Sequence, residues 1–151
     1  MKGAARALAS GLGSGFAPWA PGTAGSAVAV LLGAALMHLS PWALPAGVIL
    51  ATFGGIWAIR AAGGDADPGW VVIDEVAGQW VALLALPRPA LPGLIAAFML
   101  FRLFDIAKPG PVGWADRHHT ATGVMADDLI AGAMAAASLW AVRLRWPGLL
   151  G

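Results

Sequence analysis

The stretch from Phe101 to Asp128, FRLFDIAKPGPVGWADRHHTATGVMADD, decides how this chain folds and where its chemistry lies. It holds four of the eight acids (Asp105, Asp116, Asp127, Asp128) and three of the nine bases (Arg102, Lys108, Arg117). Arg102, Asp105 and Lys108 stand at i, i+3 and i+6 of a helix that begins near Gly93. They cover an arc of about 120° with Asp105 in the middle. Pro109 and Pro111 stop that helix. On either side of the stretch the sequence is almost pure hydrocarbon, and burying unpaired charge costs several kcal/mol or more. The economical explanation is a reaction centre at a membrane surface.

Working outward, the 151 residues suit one domain, 1–151. Charged residues make up only 11%, against about 25% in ordinary soluble domains. Ala24–Leu39, Leu44–Ile59 and Leu129–Val142 contain no Asp, Glu, Lys or Arg. Each falls a little short of the roughly 20 residues that cross a bilayer, and polar or Gly-rich flanks extend each one. The expected fold is all-α: a compact multi-pass bundle of four to five helices with its polar site at one membrane face. No basic patch with interleaved aromatics points to nucleic acid. The absence of cysteine excludes disulfides and thiolate metal sites. Trp19, Trp42, Trp70, Trp114 and Trp146 fall near span ends, as in interfacial belts.

Residues 11–26, GLGSGFAPWAPGTAGS, read as a loop running into a helix near Thr23 or Ala24. Such a loop is either a cap with Gly for tight packing or a phosphate cradle at a helix N-terminus, with Thr23 and Ser26 adding hydroxyls. Asp67 before Pro68 predicts a third helix from about Pro68, with Asp74 and Glu75 inside it. These acids, among Val71, Val72, Ile73 and Val76, need a cation or the aqueous face to receive them. PRPALP at 87–92 is a turn. Asp127 and Asp128 open the last span, either as capping carboxylates or as site residues. If spans alternate, the turns at 40–43 and 87–92 share one face. The loops at 11–23, 62–75 and 105–128 then share the other, with all eight acids at or near it. Lys2 and Arg6 place that face in the cytoplasm, although Arg143 and Arg145 would then lie outside.

Carboxylates on one polar face, with Arg and Lys among them and no clustered His ligands, describe an oxygen-ligand site for a hard cation. Mg²⁺ takes a few carboxylates plus water and substrate phosphate oxygens. A phosphoryl group so held is open to attack by water or by an Asp nucleophile. His118 and His119 could act as acid or base, but adjacent loop histidines are more often incidental.

Four ordered motifs carry a family resemblance: GSGFAPWAPGTAGS at 13–26, DPGWVVIDEVAGQW at 67–80, FRLFDIAKPGPVGWADR at 101–117 and GVMADDLIAG at 123–132. Over nearly its whole length the chain resembles phosphatidylglycerophosphatase A. That resemblance implies a Mg²⁺-dependent lipid phosphatase of the bacterial inner membrane, converting phosphatidylglycerophosphate to phosphatidylglycerol and inorganic phosphate in phospholipid biosynthesis. Among the matching residues, we assign Asp74, Glu75, Asp127 and Asp128 to the metal and Asp105 and Asp116 to catalysis. Arg102, Lys108 and Arg117, with Thr23 and Ser26, are assigned to phosphate. The sequence departs from the family at 118–122, where HHTAT replaces a stretch that usually contains a Gly-Gly pair. A phosphatase of another lipid or polyprenyl phosphate would use the same residues. A small cation channel or transporter would instead place acids deep in several spans.

Overall fold

The computed structural model describes residues 2–63 and 68–151. Every regular element among them is helical, as the hydrocarbon pattern predicts. In order they are α1 (Lys2–Ala9), a 3₁₀ turn (Ser14–Phe16), α2 (Pro21–Leu39), α3 (Ala43–Ala62), α4 (Ile73–Leu83), α5 (Leu91–Ala107), α6 (Pro111–Asp116) and α7 (Ala121–Arg145). The seven α-helices exceed the expected four to five because the short α1 and α6 join the five longer ones.

Two helix starts differ from expectation. The third long helix begins at Ile73, not near Pro68. Residues 70–72 run alongside the N-terminal segment instead, and the Val72 N–H donates to Ala9 O at 2.9 Å. The proposed cap at Asp67 lies outside the described residues. The last helix begins at Ala121, so Asp127 and Asp128 lie inside it rather than at its start. Thr120 is the N-cap, and its Oγ1 accepts from Gly123 N–H at 3.1 Å.

Three helices are long and apolar enough to cross a membrane: α2, α3 and α7. At 1.5 Å per residue the 19 residues of α2 span about 28 Å, close to the hydrocarbon thickness. Leu31, Leu32, Ile49, Leu50, Phe53, Ile95, Met99 and Leu103 all point outward. So continuous an apolar exterior on α2, α3 and α5 is the face of a membrane protein. Trp19, Trp42, Trp114 and Trp146 are exposed near helix ends, whereas Trp80 packs inside and donates its Nε1–H to Ala29 O at 2.8 Å.

Contacts fix the direction of each helix. Gly25 lies against Val72, Gly33 against Trp80 and Leu83, and Gly47 against Leu36 and Trp80. Gly93 meets Leu86, and Arg143 donates to Ala85 O. Thus α2, α4 and α7 start at one end of the bundle, and α3 and α5 run back to it. The turns around 40–42 and 84–90 share the opposite end, as alternation predicts. The short α4 is central, touching α2, α3, α5 and α7. It crosses α7 closely where Gly78 meets the Asp128 carbonyl and Gly132 meets the Gly78 carbonyl. Small residues at both positions let the two backbones approach.

Candidate functional site

That crossing brings carboxylates together. Asp74 and Glu75 occupy the first turn of α4, where acids suit the positive end of the helix dipole. Asp128 comes from the second turn of α7. One oxygen from each of Asp74, Glu75 and Asp128 lies within 4.8 Å of the others. Asp74 and Asp128 are buried; Glu75 keeps some exposed surface, but its Oε2 is shut away from solvent and has no hydrogen-bond partner among the described residues. Burial and the adjacent Asp74 carboxylate push Glu75 well above the usual carboxylate range, with the charge of Asp105 adding to the effect. A divalent cation would reverse that cost.

A guanidinium stands beside the trio. Arg102, on α5, pairs with Asp105 and its Nη1 reaches the Oγ of buried Ser26 at 3.5 Å. Gly22, in the first turn of α2, lies between them. A Cβ there would meet Glu75 Oε1 and sit 3.3 Å from Arg102 Nη1. This glycine is required by close approach of two side chains, which is the tight-packing alternative for the Gly-rich loop. Ser26 also donates to Gly22 O at 2.8 Å. Thr23 is half-buried on the same turn and makes no side-chain hydrogen bond among the described residues.

A second polar group flanks the first. Lys108 ends α5 in a left-handed conformation (φ 45°), uncommon for a residue with a side chain. Its ammonium lies 2.6 Å from Asp127 and 2.8 Å from Asp116. Burial alone would lower the Lys108 pKa, but the hydrogen bonds and charges of Asp116 and Asp127 outweigh it, so the pKa is raised. Asp127 therefore sits with Lys108 and Asp116, apart from the Asp74–Glu75–Asp128 trio. Arg117, His118 and His119 are exposed on the connection to α7, and Arg117 makes no ion pair among the described residues. His118 Nδ1 lies 3.0 Å from Trp114 O.

The model of the phosphatidylglycerophosphatase A family matches residues 7–143. The chain belongs to that family. Membership makes it a phosphatase, which accords with carboxylates, Arg and Lys gathered at one end of a lipid-facing bundle. A Bacteroides thetaiotaomicron protein provisionally described as a phosphatidylinositol-3-phosphatase is 44% identical over 135 residues, covering 83% of this chain and 84% of that one. Phosphatidylglycerophosphatase A of Escherichia coli is 38% identical over 145 residues (93% of this chain, 84% of that one). The Haemophilus influenzae phosphatidylglycerophosphatase A is 34% identical over 145 residues (90% and 86%). No solved structure matches the chain.

Sequence reasoning missed Gly22 as part of this neighbourhood, and it passed over Gln79, a fully buried polar residue on α4. Gly22 carries no signal apart from its place in a Gly-rich loop. Gln79 carries one: a polar residue four positions after Glu75 in an otherwise apolar helix.

Proposed function

We propose that the protein hydrolyses the phosphate monoester of phosphatidylglycerophosphate, giving phosphatidylglycerol and inorganic phosphate, at a Mg²⁺ centre on the cytoplasmic face of the bacterial inner membrane. The observation that carries this reading is the convergence of Asp74, Glu75 and Asp128 beside Arg102, in a chain of this family. Three carboxylates with a buried, unpartnered Glu75 oxygen fit a hard cation with oxygen ligands. Asp74, Glu75 and Asp128 would hold it. Bound there, Mg²⁺ supplies Lewis-acid polarisation of a phosphoryl oxygen.

The chain's own groups do the rest. Arg102, steadied by Asp105 and Ser26, donates its N–H groups to the phosphate oxygens. The helix N-termini of α2 and α4 meet at the same end and favour an anion there. Asp105 accepts the proton of the attacking water as its oxygen bonds to phosphorus. The bond from phosphorus to the glycerol oxygen then breaks, and that oxygen takes the proton held by Asp105, which returns to its carboxylate form. Lys108 stays between Asp116 and Asp127, adding positive potential and tying the end of α5 to α6 and α7. The apolar exterior keeps the acyl chains in the bilayer while the headgroup meets the polar end. Six of the nine bases (Lys2, Arg6, Arg60, Arg102, Lys108, Arg117) lie at that end by their place in the sequence, which supports a cytoplasmic face.

The 44% identical relative favours one second reading, removal of the 3-phosphate from phosphatidylinositol 3-phosphate. Both substrates offer a phosphate monoester on a lipid headgroup. Measuring kcat/KM for each in mixed micelles separates them. The proposal expects the higher value for phosphatidylglycerophosphate, and the reverse order assigns the inositol lipid.

A further inference from the structure

One buried polar side chain has no place in the chemistry above. Gln79, on α4, is fully buried, and neither its Oε1 nor its Nε2 has a hydrogen-bond partner among the described residues. Buried carboxamides in folded proteins are rarely left so. An apolar side chain of similar size would fill the same space without the penalty of unsatisfied polar atoms. A carboxamide retained here therefore answers to something beyond local packing.

Its direction follows from helix geometry. Gln79 lies one turn after Glu75 and about 40° further round α4. Helical side chains lean toward the N-terminus, over the preceding turn. A Gln79 side chain that leans this way reaches toward the first turn, where Asp74 and Glu75 stand. Two more buried polar atoms have no hydrogen-bond partner among the described residues, Glu75 Oε2 and Arg102 Nε. Glu75 and Arg102 approach one another across Gly22. A carboxylate that gives one oxygen to a cation leaves the other to accept from a neighbouring donor, and such donors fix the orientation of the ligand.

We propose that Gln79 is a positioning residue of the metal centre: its carboxamide N–H holds the Glu75 carboxylate in the orientation a divalent cation requires. The inference rests on the metal-centre reading of Asp74, Glu75 and Asp128. It predicts effects of opposite sign in the two states of the protein. Without a cation, the carboxamide is an unsatisfied polar group and costs stability. With one, it contributes affinity.

The test is Gln79→Met, which keeps length and bulk and removes both polar atoms. Binding of Mn²⁺ to the purified protein in detergent is followed by electron paramagnetic resonance, and melting is recorded in chelator. The expected result is a higher Tm in chelator together with Mn²⁺ affinity weakened about 10- to 100-fold. A purely structural glutamine would change the first and leave the second alone. Mn²⁺ affinity within about twofold of wild type in folded Gln79→Met overturns the proposal; should that variant fail to fold, Gln79→Leu is judged by the same criterion. Folded wild type that binds no Mn²⁺ removes the metal-centre reading, and the inference with it.

Discussion

Replacing Gly78 by Ala is expected to separate α4 from α7 and pull the acid trio apart. A Cβ on Gly78 would sit 2.6 Å from Cε2 of Phe101 and 2.8 Å from the carbonyl carbon of Asp128, with the Asp128 carbonyl oxygen closer still. Carbon atoms in contact settle at about 3.5–4.0 Å, so roughly 1 Å of separation has to be found. Neither neighbour yields easily, since Phe101 is fully buried and the Asp128 carbonyl belongs to a helix. Overpacking of this kind costs about 1–3 kcal/mol. The better helix propensity of Ala offsets up to about 1 kcal/mol of that. The net loss of stability is therefore modest. The loss of function is larger, because Asp74 and Glu75 stand one turn before Gly78 and move with it away from Asp128. A misplacement of about 1 Å can cost on the order of 100-fold in rate. The assay is kcat/KM for phosphate release in detergent micelles, with melting of the same samples. Gly54→Ala is the control, since among the described residues a Cβ there meets only Leu8, at 3.9 Å. Full activity in folded Gly78→Ala would refute this reasoning.

Lys108→Met leaves Asp127 buried without its cation, and should lower stability by about 1–3 kcal/mol. In an Asp127→Asn background the same change should cost less, and equal costs in the two backgrounds would show that the pair is not coupled. The raised pKa of Glu75 gives a pH dependence. Metal-free folded protein retains a proton that the unfolded chain, with a carboxyl near 4.3, has already released. Its stability therefore falls as pH rises from about 4.3 through the folded value, and the full cost is present above that. In chelator, Tm should be lower at mildly alkaline than at mildly acidic pH, and Mg²⁺ should narrow the gap; a gap unaffected by Mg²⁺ contradicts the placement of the cation at Glu75. Arg102→Lys keeps the charge but loses the planar fork, so kcat/KM should drop while Mn²⁺ binding holds. Unchanged kcat/KM would remove Arg102 from the phosphate site.

The all-helical architecture was legible because uncharged runs of membrane length leave few alternatives. So was the collection at one end of the six described acids, Asp74 to Asp128, which follows from alternating spans; Asp65 and Asp67 lie outside the described residues. Helix starts were less so. Asp67–Pro68 has the composition of a start, but the Val72 N–H is engaged by Ala9 O, a tertiary contact no local pattern reveals. At α7 the signal was present in Thr120, followed three residues later by Gly123. A Cβ on Gly123 would collide with the His118 carbonyl, so the tight turn from α6 depends on that glycine. The pairing of acids was not legible either. Asp127 and Asp128 are adjacent in sequence, yet helical rotation of about 100° sends one to Lys108 and the other to Asp74 and Glu75.

The most direct test of the central claim, that the carboxylates meeting at the α4–α7 crossing form a metal-dependent phosphatase centre, is phosphate release from phosphatidylglycerophosphate in micelles. Wild type is assayed with Mg²⁺ and with chelator, beside Asp128→Asn and Glu75→Gln shown by melting to be folded. The account predicts release by wild type with Mg²⁺, and its loss in chelator and in both variants. Release that survives chelator, or that persists at wild-type rate in either folded variant, would contradict it.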